Sequence, residues 1–394
     1  MHITNIYLLI IRALHIVRRK AVKILMILSK PFLLDPRVSQ EAKSLGSKGH
    51  EITVIVWDRH KDYKSEELVN GIKIVRIHNN FAVDALHTDI LRNPFWWRAA
   101  YKKGLELHKK DFKFDIVHCH DLDTLVAGVR LKKKLGVKLV YDAHEIFGYM
   151  IDRFLPHIIS NYALKLEKKL LKRVDFIITV NKPLKDYFSK ISDKPIEIVM
   201  NCKNLVNSKY TPTNNKVFTV CYYGVFNSTR LFPDIVKILG DIEDIKFLVA
   251  GKKENLFDAV KVRCEKFDNI EFLGTLPLDK VIDYTLKSDA VLCMIRPTDK
   301  NAKIAHANKQ FEAMVCGRAL IASKDTYIGE MTEELNCGVV TEFSKDGIIE
   351  AVEKLRDDPK LREVLGKNGL KAAQNEYNWE KQEERLLKIY ENIL

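Results

Sequence analysis

The residues best suited to chemistry in this chain lie in Asn308-Lys309-Gln310-Phe311-Glu312 and its continuation to Gly317, ahead of an apolar run over 319–323. Asn308 suits a helix N-cap, Glu312 falls in the first turns, and Gly317 is where a short helix would stop. The run after it reads as a buried parallel strand, and residues 289–295 read as another, ended by Pro297. A strand leading to a helix N-terminus that carries a carboxylate can hold a phosphate and a sugar diol together. Exposed amides and the helix dipole favour the phosphate, and Glu312 can accept from two hydroxyls. A nucleotide-sugar has both groups. The same residues also fit an ordinary capped helix, and this segment alone leaves the two readings open.

Other strands must position that segment. Residues 22–28, 52–57, 72–77, 115–118, 138–141, 175–180 and 196–200 read as strands, separated by helical patterns such as 38–48, which ends near Gly49. The alternation pauses over the polar residues 203–216 and restarts with strands at 217–223, 245–250 and 270–272. Helices dominate from Lys345 onward. Strands alternating with helices point to parallel sheets with right-handed crossovers, hence two doubly wound α/β domains. The expected division is an extension over 1–20, a first domain over 21–203, a linker over 204–216, a second domain over 217–375 and a C-terminal helix over 376–394. Whether that last helix returns to the first domain is open.

A length of 394 residues suits two domains better than one core. The seven cysteines are scattered singly, with no spacing for zinc or for a disulfide framework, so a reducing cytoplasm fits and the cysteines read as small buried residues. A net charge of +13 implies an anionic partner. No zinc finger, RNA-recognition sheet or helix-turn-helix motif is present, so nucleic acid is not expected. Residues 1–20 are apolar but interrupted by Arg12 and His15 and closed by Arg18-Arg19-Lys20. They are too short and too charged to span a bilayer and lack a cleavage site, leaving an interfacial amphipathic helix or an ordinary extension.

Ligands of doubly wound sheets bind beyond the carboxyl ends of strands. His118 and His120 fall at one such end, Asp142 and His144 at a second, Gly224 at a third and Asn308 soon after a fourth. Two domains whose strand ends face each other would enclose the site in a cleft.

Taken together, Val117-His118-Cys119-His120-Asp121, Tyr141-Asp142-Ala143-His144-Glu145 and the Asn308–Gly317 segment resemble the GT-B glycosyltransferases, specifically glycosyltransferase family four. Asp35-Pro36-Arg37 with Glu41-Ala42, Gly49-His50-Glu51 and Tyr377-Asn378-Trp379 fit the same family. The resemblance covers about residues 22 to 394. It implies a GT-B fold of two Rossmann-like domains, no essential metal or other cofactor, and transfer of a sugar from a nucleotide diphosphate donor with retention of configuration. Carried over by position, Glu312 would bind the donor ribose, and the amides around Lys309 and Gln310 would meet the diphosphate. Arg230, after Tyr223-Gly224, would neutralise it, since fixed cations stabilise charge that develops on the leaving phosphate. His120 would sit beside the transferred sugar and donate to one of its hydroxyls, with His118 supporting it. Arg37, Asp121, His144 and Glu145 complete the acceptor side, Glu145 being a further catalytic candidate.

The pattern departs from the family at three places. Relatives with Glu-x7-Glu have a glutamate where this chain has Ile304, so His306 and Asn308 are candidates to replace its sugar contacts. Arg318 stands where proline is usual, an exchange expected to affect only the turn. Val225 occupies a place often held by a cation, which leaves Arg230 with more of the charge. Asp121-Leu122-Asp123 also spells the metal-binding DxD of the other large glycosyltransferase fold. Two stretches of strand-helix alternation argue against that fold, so no metal is expected.

Asn93-Pro94-Phe95-Trp96-Trp97-Arg98 mixes aromatics with cations, which suits the surface of an anionic membrane. Peripheral attachment through 1–20 and 91–109 to the inner face of the cell membrane is therefore one expectation, and Trp residues packed into the core are the other. The leading function is transfer of a hexose from a UDP- or GDP-sugar to a glycan or lipid-linked acceptor in surface-polysaccharide or glycoconjugate synthesis. A sugar-nucleotide epimerase of the same fold and a non-catalytic nucleotide-sugar binder are the alternatives.

Overall fold

A computed structural model describes residues 21–393 apart from 87, 111 and 255. The expectation placed on residues 1–20 lies outside this range. Fourteen strands form two sheets among the described residues. The first sheet contains β1 (Lys23–Leu28), β2 (Glu51–Asp58), β3 (Glu66–Val69), β4 (Ile72–His78), β5 (Ile116–His120), β6 (Lys138–Ala143), β7 (Phe176–Thr179) and β8 (Ile196–Ile198). Its order is β3-β4-β2-β1-β5-β6-β7-β8. The second contains β9 (Phe218–Gly224), β10 (Ile245–Gly251), β11 (Ile270–Phe272), β12 (Ala290–Cys293), β13 (Ala319–Ser323) and β14 (Gly338–Thr341), in the order β11-β10-β9-β12-β13-β14. All five of its pairings are parallel. In the first sheet β1 runs parallel to β2 and β5, and only β3 is seen to pair antiparallel, with β4.

The apolar runs explain these sheets. A parallel sheet is covered on both faces, so its strands need few polar positions. In the second sheet, Val220, Phe247, Leu292 and Ile321 face one buried cluster, while Cys221, Leu248, Cys293 and Ala322 face another. All seven cysteines are buried. In each sheet an early strand sits between neighbours reached in opposite directions, β1 between β2 and β5 and β9 between β10 and β12. Strand order reverses there, and the loops beyond the carboxyl ends of those strands are free to hold a ligand.

The chain divides into two compact units. One ends at Asp142 and also includes Arg173–Phe176, and the other comprises Ala143–Lys172 and the residues from Ile177 on. Residues 204–216 hold no helix or strand, as their polar composition predicts. They are nonetheless fastened along their length. Gln374 donates to the Ser208 carbonyl at 2.8 Å, Asn215 to Asp289 at 2.9 Å, and Thr213 also bonds Asp289. Arg318 donates to the carbonyls of Thr211 at 2.8 Å and Leu286 at 2.7 Å. The arginine expected to affect only the turn after Gly317 is therefore a buried clamp on this segment. Helices follow from Lys345 to Asp357, Pro359 to Asn375 and Trp379 to Ile393. The last is tied to Met200 and Lys203 through Gln382 and the amide of Trp379.

Candidate functional site

Within the first unit, polar side chains collect beneath the carboxyl ends of β5 and β6. The strands extend past their expected ends, so His120 and Asp142 join His118 inside them, and His118, His120 and Asp142 are 0%, 1% and 0% exposed. Two-residue periodicity puts both histidines on one face, with ring centroids 4.3 Å apart. Asp142 Oδ2 is 2.9 Å from His120 Nδ1 and 3.7 Å from His118 Nε2. The helix Pro36–Ser47 brings Arg37 and Glu41 to the same place, one turn apart. Its N-cap, Asp35, accepts from the Arg37 and Val38 amides and grips the Arg37 side chain at 3.0 and 2.8 Å. Burial opposes the charge on Arg37, but Asp35, Asp121 and Asp142 together raise its pKa. Burial first, and then the charge of Asp142, push the Glu41 carboxyl well above the ordinary range. One donor atom from each of Glu41, His118, His120 and Asp142 lies within 4.8 Å of the others. Such a set has the donor types a divalent cation takes, and the half-buried Arg37 guanidinium lies beside it, held by Asp35.

Nδ1 of His120 faces Asp142, and when that contact is an Nδ1–H donated to the carboxylate, a neutral ring presents a lone pair at Nε2. Asp121 has φ +62° and ψ 167°, a region nearly confined to glycine, and its amide donates to the Asp142 carbonyl at 2.9 Å. Holding a residue there costs about 1–3 kcal/mol and is most often met where function demands it. Burial and the neighbouring Asp121 push the Asp123 carboxyl up to about 7.

The aromatic helix spans Asp89–Lys110. Trp96 is buried and stacks on Trp57 with centroids 5.2 Å apart. The indoles of Trp96 and Trp97 both donate to the Asp123 carbonyl, at 3.0 and 2.8 Å. These rings therefore face inward and do not form a membrane belt; Leu91 and Phe95 are the exposed apolar residues of this stretch.

The second unit assembles the other group. The helix Asn308–Cys316 starts one residue earlier than expected: Ala307 is its N-cap, with no side-chain cap bond, and Asn308 is its exposed first residue. Gly317 ends it at φ +64°, as expected. Among the described residues no side chain takes up the first amides; that of Gln310 donates to the Ala307 carbonyl at 3.0 Å, and those of Asn308 and Lys309 remain for an anion. Lys309 and Glu312 are 9% and 8% exposed. Glu312 lies 3.4 Å from Lys203 Nζ. Lys309 Nζ sits 4.4 Å from the Tyr222 ring centroid, and only 3.0 Å from where a Cβ on Gly224 would stand. The glycine at the end of β9 thus leaves room for the ammonium. Arg230, six residues on, is half-buried, and its Nη1 is buried without a hydrogen-bond partner. Lys309, Arg230 and Glu312 all act electrostatically on the buried Cys293 thiol at the end of β12.

His306 does not stand in the open as a substitute for the absent glutamate. Its ring lies between Phe311 and Tyr327, with Nδ1 3.2 Å from Gln310 Oε1, and burial lowers its pKa to about 4. The carbonyl of Ile304 accepts from Asn181, whose other side-chain atom caps the helix Lys182–Ile191. Glu145 accepts from Asn301 at 3.0 Å, and His144 follows β6, half-buried.

Sequence reading named Glu41 in the family pattern without giving it a place in the site, and missed Asn181, Asn301 and the clamp role of Arg318. The signal for Glu41 was available. Glu41 and Ser44 recur three residues apart among the buried residues of their helix, where apolar residues belong, one turn on from the half-buried Arg37.

Comparison with known proteins gives two family matches. A model described as Glycosyltransferase Family 4 matches residues 37–205, and one described as Glycosyl transferases group 1 matches residues 207–372. An uncharacterized glycosyltransferase, MJ1069, of Methanocaldococcus jannaschii is 23% identical over 386 residues, covering 92% of this chain and 95% of that protein. Sucrose-phosphate synthase from Thermosynechococcus elongatus superposes with a TM-score of 0.78 at 16% identity, covering 94% of this chain and 99% of its own. HepE from Anabaena, solved in complex with UDP-glucose, gives a TM-score of 0.68 at 13% identity and covers 94% of this chain and 100% of its own.

Proposed function

This chain belongs to the GT-B glycosyltransferases of family four, and on that footing we propose that it moves a hexose from a UDP- or GDP-sugar to a glycan or lipid-linked acceptor. Retention of anomeric configuration and a place in surface-polysaccharide or glycoconjugate synthesis are parts of the same proposal. The observation that carries it is the buried Arg230 nitrogen without an acceptor, which with Lys309 bears on Cys293, together with an uncapped helix start. Unpaired buried cationic groups are costly unless a ligand supplies the opposite charge. A diphosphate supplies it, and Glu312 suits the ribose diol.

In the proposed reaction the bond between the anomeric carbon and the diphosphate oxygen breaks, and charge grows on that oxygen. Arg230, Lys309 and the helix amides stabilise it. The acceptor hydroxyl adds on the same face and gives its proton to the departing phosphate, so no metal is required. His120 Nε2 and Glu145 orient hydroxyls. UDP-glucose is the first donor to try, because a structural neighbour is known in complex with it. Incubation with UDP- and GDP-sugars in excess EDTA should release free nucleoside diphosphate and extend an acceptor. Interconversion of the donor without extension would instead identify an epimerase.

Peripheral attachment to the cytoplasmic face of a membrane belongs to the proposal as well. No helix among the described residues is long and apolar enough to cross a bilayer. Support comes from Phe154, Ile158 and Tyr162, which recur every four residues and are 74%, 77% and 64% exposed. Along the helix His157–Leu171 they give way to exposed Lys165, Lys168 and Lys169. Apolar insertion next to clustered lysine suits anionic lipid. Flotation with anionic vesicles at low salt, and loss of it in F154E/I158E, is the expected result; equal flotation of the variant would sink this part.

A further inference from the structure

We propose that Glu41 is a positioning residue: as a neutral acid it donates a hydrogen bond to Asp142 and so fixes which nitrogen of His120 is turned to the substrate. The inference rests on the placement of His120 beside the transferred sugar. Glu41 and Asp142 are 2% and 0% exposed, and an oxygen of each falls inside the same 4.8 Å cluster. Two carboxylates buried so close are costly to ionise together, so one proton belongs to the pair. Three observations place it on Glu41.

Asp142 already accepts from His120 Nδ1 at 2.9 Å, which favours charge on Asp142. Glu41 Oε2 is buried with no hydrogen-bond donor, a condition tolerable for an acid and expensive for an anion. The cations nearby are committed elsewhere, since Asp35 takes Arg37 through two bonds and Lys30 at 3.0 Å. The groups facing Glu41 are therefore Arg37 and Asp35 from its own helix and cap, His118 at 3.8 Å and His120 from β5, and Asp142 from β6. Asp35 and Asp142 both favour the neutral acid, and Arg37 opposes it. Asp142 thus receives one proton from Glu41 and another from His120 Nδ1, and His120 Nε2 keeps its lone pair for a hydroxyl.

The test compares E41Q, which still donates, with E41L, which cannot, alongside H120Q. Turnover, donor KM and the pH profile from 5.5 to 9 are measured, with UDP binding by thermal shift. E41Q should stay within about threefold of the parent, with its pH profile. E41L should lose at least tenfold in kcat with little change in UDP binding, and its acid limb should move to higher pH, because Asp142, relieved of one donor, holds the imidazolium of His120 more strongly. Equal loss in E41Q and E41L would mean that an ionised carboxylate is needed, and would overturn the inference; so would full turnover in E41L. Should E41L fail to fold, nitrogen-15 shifts of the His120 ring in the parent decide it, the Nε2–H tautomer being the contrary result. Full turnover in H120Q would instead remove His120 from the sugar, a separate failure.

Discussion

The polar cluster of the first unit and the cationic group of the second solve opposite electrostatic problems. Around Glu41, His118, His120 and Asp142, charges meet counter-charges inside the protein: Arg37 and Lys30 on Asp35, the His120 ring against Asp142 and, on the inference above, a proton shared by the carboxyl pair. Around Arg230 and Lys309 the account is left open, with one guanidinium nitrogen unbonded and an ammonium resting on an aromatic ring. Among the described residues no carboxylate forms an ion pair with either cation. Internal compensation sets the direction of hydrogen bonds before any ligand arrives. An uncompensated cation needs the ligand to complete it. The first kind of site is expected to resist perturbation by salt and pH, and the second to depend on what binds.

The sharpest way to break this contrast is R230A. If the second group stabilises a leaving diphosphate, kcat should fall by about 100- to 1,000-fold, the loss typical of one oxyanion donor. R230K should recover only part, because an ammonium lacks the planar fork. A loss confined to KM would show that the arginine binds ground state and transition state alike. Next in size is the response of His306 to acid. Its folded pKa of about 4 lies below the unfolded value, so the unfolded chain binds the proton first. Stability should therefore be intact above pH about 6.5 and fall by about 3 kcal/mol on acidification to about 4. Urea midpoints at pH 7, 5.5 and 4.5 should drop more steeply for the parent than for H306N; parallel curves would show that the ring is not held neutral. E312A should lower kcat/KM for the donor by about 30-fold, the equivalent of ~2 kcal/mol for a charged acceptor of hydrogen bonds, with 2′-deoxy donor spared most of that loss. The smallest effect belongs to G224A. Its Cβ would stand 3.0 Å from Lys309 Nζ, whose flexible end can retreat, so donor KM should rise only about fivefold or less, with some stability lost besides because Gly224 has φ +156°.

Much of the fold was legible because buried parallel strands are short apolar runs, and residues 319–323 or 245–250 can hardly be anything else. β3 and β14 escaped for the converse reason. Glu66-Glu-Leu-Val is a half-polar edge strand, and Gly338-Val-Val-Thr is brief and only half-buried. His118 and His120 could be paired from their period of two, but their partner Glu41 comes from a helix packed on the sheet, and no local pattern encodes that meeting. The Asn308 cap failed because preference for asparagine is a local tendency, whereas burial of Lys309 and Gln310 settles where this helix begins. The tryptophans misled for a related reason. Composition shows an aromatic-basic stretch, but not that two indoles share one carbonyl.

The Arg318 clamp has a bearing on how this chain can be engineered or diversified. Because its guanidinium spans the Thr211 and Leu286 carbonyls, residues 208–215 have fixed seats and little slack. Leu205 and Val206, just upstream, are 37% and 39% exposed. A short glycine-serine insertion should be absorbed at 205 and should unseat the chain at 211, so length variation among relatives ought to gather on the upstream side of that arginine.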